Sequence, residues 1–262
     1  MTRSLCFAPR TPLGSQCVNV GGGDQMISRL KVPETLQRNS PQVVAAGYEH
    51  TGQLLIDLAT RSVGLSDLKN VDILDVGCGV RFTATIINRK IPVKSYTGVD
   101  VYKRIVEFLQ KNVEAHDDRF RFVYWNVYNQ MFNPAGVDLS TQEKLPLDGS
   151  FDLIWAFSVF THQNPKDSLA LLQLLRKHIR KNGNLFFSVF IDDGLDRFED
   201  RVKDKPLFNA YYGRQFMRSL VEQAGWRIKF LHDKDPGNYI QHYFVCSPDS
   251  PGVELAPLDR AL

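Results

Sequence analysis

The sequence predicts an α/β protein: a doubly wound, mostly parallel sheet of seven strands that closes with an antiparallel hairpin. Three observations predict it. First, Val71-Asp72-Ile73-Leu74-Asp75-Val76 reads as a short apolar strand running into the turn Gly77-Cys78-Gly79, and helix-compatible residues follow from Thr83 to Ile87. Glycines there let the backbone approach a ligand, and a helix start offers unpaired N–H groups. Second, short apolar runs alternate with amphipathic helical stretches through the middle of the chain, the pattern of a parallel sheet. Third, two strand-like runs follow the last helix with only the turn Asp235-Pro236-Gly237-Asn238 between them. A connection that short joins antiparallel strands.

The elements follow in order. Residues 1–35 carry Pro12, Gly14 and Gly21-Gly22-Gly23 with little periodicity, and read as an N-terminal arm, a flexible tail unless it docks on something. Residues 36–250 read as one domain and 251–262 as a C-terminal tail. A partial apolar stripe (Val43, Val44, Gly47, Leu54, Leu55, Leu58, Ala59) predicts a helix over 42–63, with Gly64 as its stop. After the first strand and its turn, a helix ends near Asn88-Arg89-Lys90, and Val93 to Asp100 forms the second strand. Ile105, Val106, Phe108, Leu109 and Val113 place a helix over 103–113, and alternation from Phe120 to Val127 marks the third strand. A loop over 128–150 is long enough to be functional. Phe151 to His162 holds the fourth strand and the residues after it. A helix is expected from Ser168 to Lys181 on the spacing of Leu172, Leu175 and Ile179, with Gly183 as its C-cap before a fifth strand, Leu185 to Ile191. The last helix covers 211–225, and the closing strands are Arg227 to Leu231 and Tyr239 to Cys246.

Composition narrows the classes. A chain of 262 residues with 23% charged and 43% hydrophobic residues is expected for a single globular domain. A net charge of +3 is too small to argue for nucleic acid or an acidic membrane, and no apolar run approaches a membrane span. Cys6, Cys17, Cys78 and Cys246 are scattered with no CxxC pair, which fits a reducing compartment and neither a disulfide framework nor a zinc site. No continuous apolar stretch follows Arg3 and Arg10 in the manner of a secretory signal, so a cytoplasmic location is expected.

The glycine spacing selects the ligand. A dinucleotide fingerprint requires a third glycine at 82, which is Phe82. The pattern present is an acid, Asp75, two residues before paired glycines. Asp100 lies 21 residues beyond Gly79 at the end of the neighbouring strand, where an acid can take both hydroxyls of a ribose. With "GSFDLIWAFSVFTH" around the fourth strand, these residues make the chain, over roughly 70–247, resemble the Rossmann-like (class I) S-adenosylmethionine-dependent methyltransferases of the bacterial small-molecule type.

That resemblance implies S-adenosyl-L-methionine as cofactor and S-adenosyl-L-homocysteine as product. It places Gly77, Cys78 and Gly79 against the methionine part, with Asp75 accepting hydrogen bonds nearby. It gives Asp100 and Val101 to the ribose, Asn126 to the adenine amino group and Val127 to the adenine ring. Phe157 and Ser158 would line the cofactor and face the acceptor. Tyr48, on the helix before the first strand, is either a cofactor contact or ordinary packing, and the N-terminal arm gains a second reading as a lid. One position departs from the family: Arg81 stands where a third glycine is usual. It reaches the cofactor carboxylate, reshapes the turn, or weakens binding.

The implied reaction is an in-line attack on the sulfonium methyl, which asks the protein to align the partners and to take at most one proton. His162, just past the fourth strand, is the candidate base, and the alternative is that it caps or packs the next helix. His178 reads as part of a solvated helix face, His232 and His242 as structural, and Trp226 as packing. Tyr211, Tyr212 and Arg214 are either pocket-lining or core. Asp192-Asp193 reads as a surface loop, and no metal is expected. The acceptor expected is a small or sugar-linked molecule, with neither nucleic acid nor membrane as partner: Ala156-Phe157-Ser158-Val159 stands where enzymes that methylate the amino groups of bases carry an Asn/Asp-Pro-Pro-aromatic run, and the Pro-Cys pair of cytosine-carbon enzymes is missing too. The competing class is a non-catalytic scaffold whose turn Arg81 has spoiled.

Overall fold

The computed structural model describes residues 27–37, 41–234 and 241–248. The expectations for residues 1–26, for the turn at 235–238 and for the tail at 251–262, with Cys6 and Cys17, lie outside the described residues.

The seven expected strands are present: β1 (Leu68–Val76), β2 (Val93–Asp100), β3 (Phe120–Tyr124), β4 (Phe151–Ala156), β5 (Ile179–Ile191) and the closing pair, β8 (Trp226–His232) and β9 (His242–Pro248). Between β5 and β8 run two short strands that the sequence did not announce, β6 (Phe198–Asp200) and β7 (Ala210–Tyr212). The path across the sheet is β3-β2-β1-β4-β5, and β9 then pairs antiparallel with both β5 and β8. β7 joins only the last two residues of β5, Phe190 and Ile191, and carries β6 on its outer side. The first strand sits in the middle because it pairs in parallel with β2 on one side and β4 on the other.

Both faces of this sheet are covered, so its strands read as apolar runs rather than as clean alternation. Leu74, Val76, Ile154 and Phe187 point into one core with the leucines of α5 (Pro165–Arg176) and with Met217, Leu220 and Val221 of α6 (Arg214–Gln223). Their strand neighbours Ile73, Leu153, Trp155 and Phe186 point into the other. There they meet Ile56 of α2 (Tyr48–Ser62), Phe82 and Ile86 of α3 (Arg81–Asn88), and Ile105 and Leu109 of α4 (Lys103–Leu109).

Several boundaries differ from expectation. The helix expected over 42–63 is two helices, α1 (Pro41–Ala46) and α2, because Gly47 between them takes a φ of +92°. The third strand ends at Tyr124. The helix expected from Ser168 to Lys181 starts and stops earlier: Asn164 caps it by accepting from Asp167 N at 2.9 Å, Pro165 opens it, and Ile179 already belongs to β5. Gly183 is therefore a strand residue and no helix cap. A Cβ there would lie 2.7 Å from Ile179 Cδ1 and 2.9 Å from Asp152 O, which explains the glycine. His178 is buried, not solvated, and its Nδ1 sits 3.0 Å from Gly149 O. Tyr211 and Tyr212 belong to β7, ahead of α6.

The described part of the arm is docked. Asn88 at the end of α3 clamps the Leu30 peptide, accepting from Leu30 N at 2.7 Å and donating to Leu30 O at 3.1 Å, and the Leu30 and Leu36 side chains are buried. Close contact of α2 with α3 depends on Gly52, whose added Cβ would lie 2.2 Å from Thr85 Oγ1 and 3.4 Å from Arg81 Cγ. Thr85 is fully buried and cannot retreat. Gly52→Ala is expected to destabilise the protein by about 1–3 kcal/mol through overpacking, measured as a shift of the urea midpoint at constant slope.

Candidate functional site

The site is built at the C-terminal ends of β1, β2 and β3, where open α/β sheets place their ligands. Beyond Val76 the chain turns through Gly77 at φ +68° and Gly79 at φ +51°, a left-handed region that favours glycine. Gly77 N and Cys78 N both donate to Val99 O, at 2.8 and 3.1 Å, which ties the turn to β2. A Cβ on Gly77 would lie 2.7 Å from Val159 Cγ2, so the turn and the segment after β4 are in close approach.

Asp100 organises the mouth of this turn. Its Oδ2 accepts from Gly79 N at 2.9 Å and its Oδ1 from Tyr102 N at 2.8 Å, and the side chain is buried. Asp75 lies on the same side of the sheet, since it pairs with Gly98 and Gly98 alternates with Asp100. It is placed beneath the turn, not at its surface, with 1% of its area exposed. Burial pushes its carboxyl up to about 7, even though the Tyr96 hydroxyl donates to Oδ2 and the charge of Arg81 works the other way. The Trp155 indole is close enough to favour the anion, but it stops short of a bond: Asp75 Oδ1 and Trp155 Nε1 are each buried without a hydrogen-bond partner.

Asn126 continues the same flank past β3, where Tyr124 pairs with Asp100. It is exposed, and its Oδ1 accepts from Tyr124 Oη at 2.9 Å and from Asn133 Nδ2 at 3.1 Å. Val127 turns the other way and is buried with Leu139 in the opposite core, while Val101 is half-buried against that core. The long loop folds back over this edge: Val137 N donates to Asn126 O, and a Cβ on Gly136 would lie 2.3 Å from the Val127 carbonyl.

Arg81 does not spoil the turn. It is the first residue of α3, so the departure from glycine falls in the helix and Gly79 keeps its left-handed backbone. Its guanidinium lies over the Phe82 ring at 5.2 Å and is flanked by Tyr48 and Tyr243, whose phenols partly offset the lowering of its pKa by burial. Among the described residues no carboxylate forms an ion pair with it. Tyr48 is half-buried at the start of α2 beside it. Phe157 is buried in the ring cluster beneath, 4.7 Å from Phe82 and 5.3 Å from Phe186.

Ser158 follows in a left-handed conformation, φ +56°, uncommon outside glycine. Ser158 N donates to Ser188 Oγ at 2.7 Å, and Gln241 Nε2 donates to Ser158 Oγ at 2.8 Å. His162 is half-buried in the short turn after β4, with Nδ1 3.2 Å from Leu207 O and its ring 6.3 Å from that of Phe208. Asp192 and Asp193 each pair with an arginine, Arg201 and Arg214, and those partners hold both carboxyls below the usual range. Among the described residues no group of three or more His, Cys, Asp or Glu side chains is arranged to hold a metal ion, and no helix is long and apolar enough to cross a membrane.

Two features of the site were missed in the sequence. Tyr96 as the donor to Asp75 had a signal, an aromatic hydroxyl two residues before Gly98 on the facing strand. The β6–β7 hairpin, which brings Leu207 to His162, had none, because both strands are three residues long.

A profile for the methyltransferase domain matches residues 36–229. The chain belongs to the methyltransferase family. The matched stretch of this methyltransferase contains every candidate site residue named above, from Tyr48 to Leu207, apart from Gln241 and Tyr243. Among characterised relatives, it is similar to a malonyl-[acyl-carrier protein] O-methyltransferase of Halalkalibacterium halodurans, 28% identical over 182 residues, covering 65% of this chain and 62% of the relative. It is also similar to a tRNA U34 carboxymethyltransferase of Alteromonas mediterranea, 32% identical over 135 residues, covering 50% of this chain and 36% of the relative. The match thus spans less than two thirds of either relative's length. In fold it is similar to a magnesium protoporphyrin IX methyltransferase from Synechocystis, with a TM-score of 0.54 at 18% identity over 81% of this chain and 89% of that one. The glycopeptide N-methyltransferase MtfA gives a TM-score of 0.55 at 12% identity over 81% of this chain and all of that one, and both folds have been crystallised with S-adenosylmethionine or S-adenosylhomocysteine.

Proposed function

We propose that the chain transfers a methyl group from S-adenosyl-L-methionine to a nucleophilic atom of a small or sugar-linked acceptor, in the cytoplasm. The observation that carries this reading is Asp100. It is a buried carboxylate, held by Gly79 N and Tyr102 N at the mouth of a left-handed glycine turn and set to receive a ribose diol. The orphaned Asp75 Oδ1 and the guanidinium of Arg81, which forms no ion pair among the described residues, fit the ammonium and carboxylate of the cofactor's methionine end. In this reading Gly77, Cys78 and Gly79 carry the methionine part and Asn126 borders the adenine, while Val101 and Val127 pack into the opposite core and support that edge from behind. Tyr48, Phe157 and Ser158 close the cofactor's other side, and His162 takes the acceptor's proton.

The cofactor supplies an activated methyl group when bound. The protein aligns the acceptor with it, excludes water and holds the proton at His162. The name of the Alteromonas relative makes tRNA the competing acceptor, against which stands the small net charge of +3. The test is calorimetric titration with S-adenosylhomocysteine. Binding with a rise in melting temperature is expected, because a ligand specific to the native state stabilises it. No heat and no shift at millimolar ligand would leave the chain a scaffold of methyltransferase fold.

A further inference from the structure

The β6–β7 hairpin projects beside β5, outside the seven-stranded core, and its connecting loop returns to the segment after β4. Asp200, the last residue of β6, holds that loop from inside. Its Oδ2 accepts from Leu207 N at 2.7 Å and its Oδ1 from Val202 N at 3.4 Å. Leu207 is pinned in a left-handed conformation, φ +59°, that a leucine rarely adopts unaided. Its carbonyl then lies 3.2 Å from His162 Nδ1.

A carbonyl oxygen only accepts, so Nδ1 must carry the hydrogen, and in the neutral ring Nε2 is the basic nitrogen. The backbone of Leu207 is thus gripped on both sides of its α-carbon: its N–H by the Asp200 carboxylate and its C=O by the His162 ring. Phe208, the next residue, is 39% exposed and stands beside the imidazole.

We infer that Asp200 is a positioning residue for His162. It acts through the backbone of Leu207, whose φ it fixes, to hold the imidazole in its Nδ1–H form, so that Nε2 is the atom able to take a proton from an acceptor. The inference rests on the proposed role of His162 as base, but its geometric half stands apart from cofactor binding and is measured separately. It also gives the hairpin a purpose beyond extending the sheet, since the hairpin's loop supplies the carbonyl that faces Nδ1.

The experiment uses the full chain labelled with nitrogen-15. Long-range proton–nitrogen correlation spectra, recorded at alkaline pH where imidazoles are neutral, read each tautomer directly, and His162→Gln identifies the signals by their loss. The wild type is expected to show His162 as the Nδ1–H form. Asp200→Ala is expected to lose that form as the majority species. A wild-type ring in the Nε2–H form overturns the inference, and so does an Asp200→Ala protein whose tautomer is unchanged. If Asp200→Ala fails to melt cooperatively, Asp200→Asn, which keeps one acceptor oxygen, is read in the same way. Failure of the wild type to bind S-adenosylhomocysteine would overturn the methyl-transfer reading and leave the tautomer result to stand or fall by its own spectrum.

Discussion

Asp100→Ala is expected to weaken S-adenosylhomocysteine binding by at least about a hundredfold while leaving the protein folded. A ribose diol donating to an ionised carboxylate makes two charge-assisted hydrogen bonds, each contributing about 1.5–3 kcal/mol, and each 1.4 kcal/mol is a factor of ten in affinity. Alanine removes both. It also releases Gly79 N and Tyr102 N, which the carboxylate holds at 2.9 and 2.8 Å, so the turn loses its anchor as well as its ligand contact. Asp100→Asn keeps one acceptor and is expected to fall between. Calorimetry measures the affinities and thermal melting checks the fold. An Asp100→Ala protein that binds within threefold of wild type would remove the ribose from this position.

The second large effect concerns stability and pH. Asp75 has a folded-state pKa raised to about 7 by burial, against an ordinary value of 3.8. A carboxyl raised in this way is held protonated by the folded state while the unfolded chain has already released its proton. Its contribution to stability is therefore complete below about pH 4 and is lost as pH rises through 7. At 1.36 kcal/mol per unit the loss reaches about 4 kcal/mol at most. Asp75→Asn, neutral at every pH, should remove that slope. Relative to wild type it should gain stability between pH 5 and pH 8, whatever its offset at pH 5 from the changed hydrogen bond with Tyr96. Urea unfolding of both proteins at the two pH values measures this, and parallel curves would show that the buried carboxyl does not titrate in that range.

The parts of the molecule that were legible in the sequence share one property: their signal is local. The strand from Val71, the turn at Gly77 and Gly79, and Asp100 at the end of β2 are written in consecutive residues whose apolar runs and glycines have one structural meaning. The structure also puts Asp75, Asp100 and Asn126 on one flank of the sheet, as strand alternation requires. What was not legible depends on partners far away in the chain. His178 sits among Arg176, Lys177 and Arg180 and looks solvated, yet the long loop covers it through Gly149. Ile179 continues a helical spacing, but β4 recruits it as a strand through Phe151. Gly183 resembles a cap because a strand glycine and a cap glycine are the same letter, and only the approach of Ile179 and Asp152 distinguishes them. The pinning of Leu207 by Asp200, which orients the candidate base, rests on a seven-residue separation within a segment without periodicity.

The central claim is that one adenosyl group lies across the ends of β1, β2 and β3 with its ribose on Asp100. A crystal structure of the protein grown with S-adenosylhomocysteine tests it most directly. The account predicts ligand density over the Gly77–Gly79 turn, the ribose diol on the Asp100 carboxylate, the adenine beside Asn126 and the homocysteine carboxylate near Arg81. Density for the ligand elsewhere, or a ribose turned away from Asp100, would contradict it.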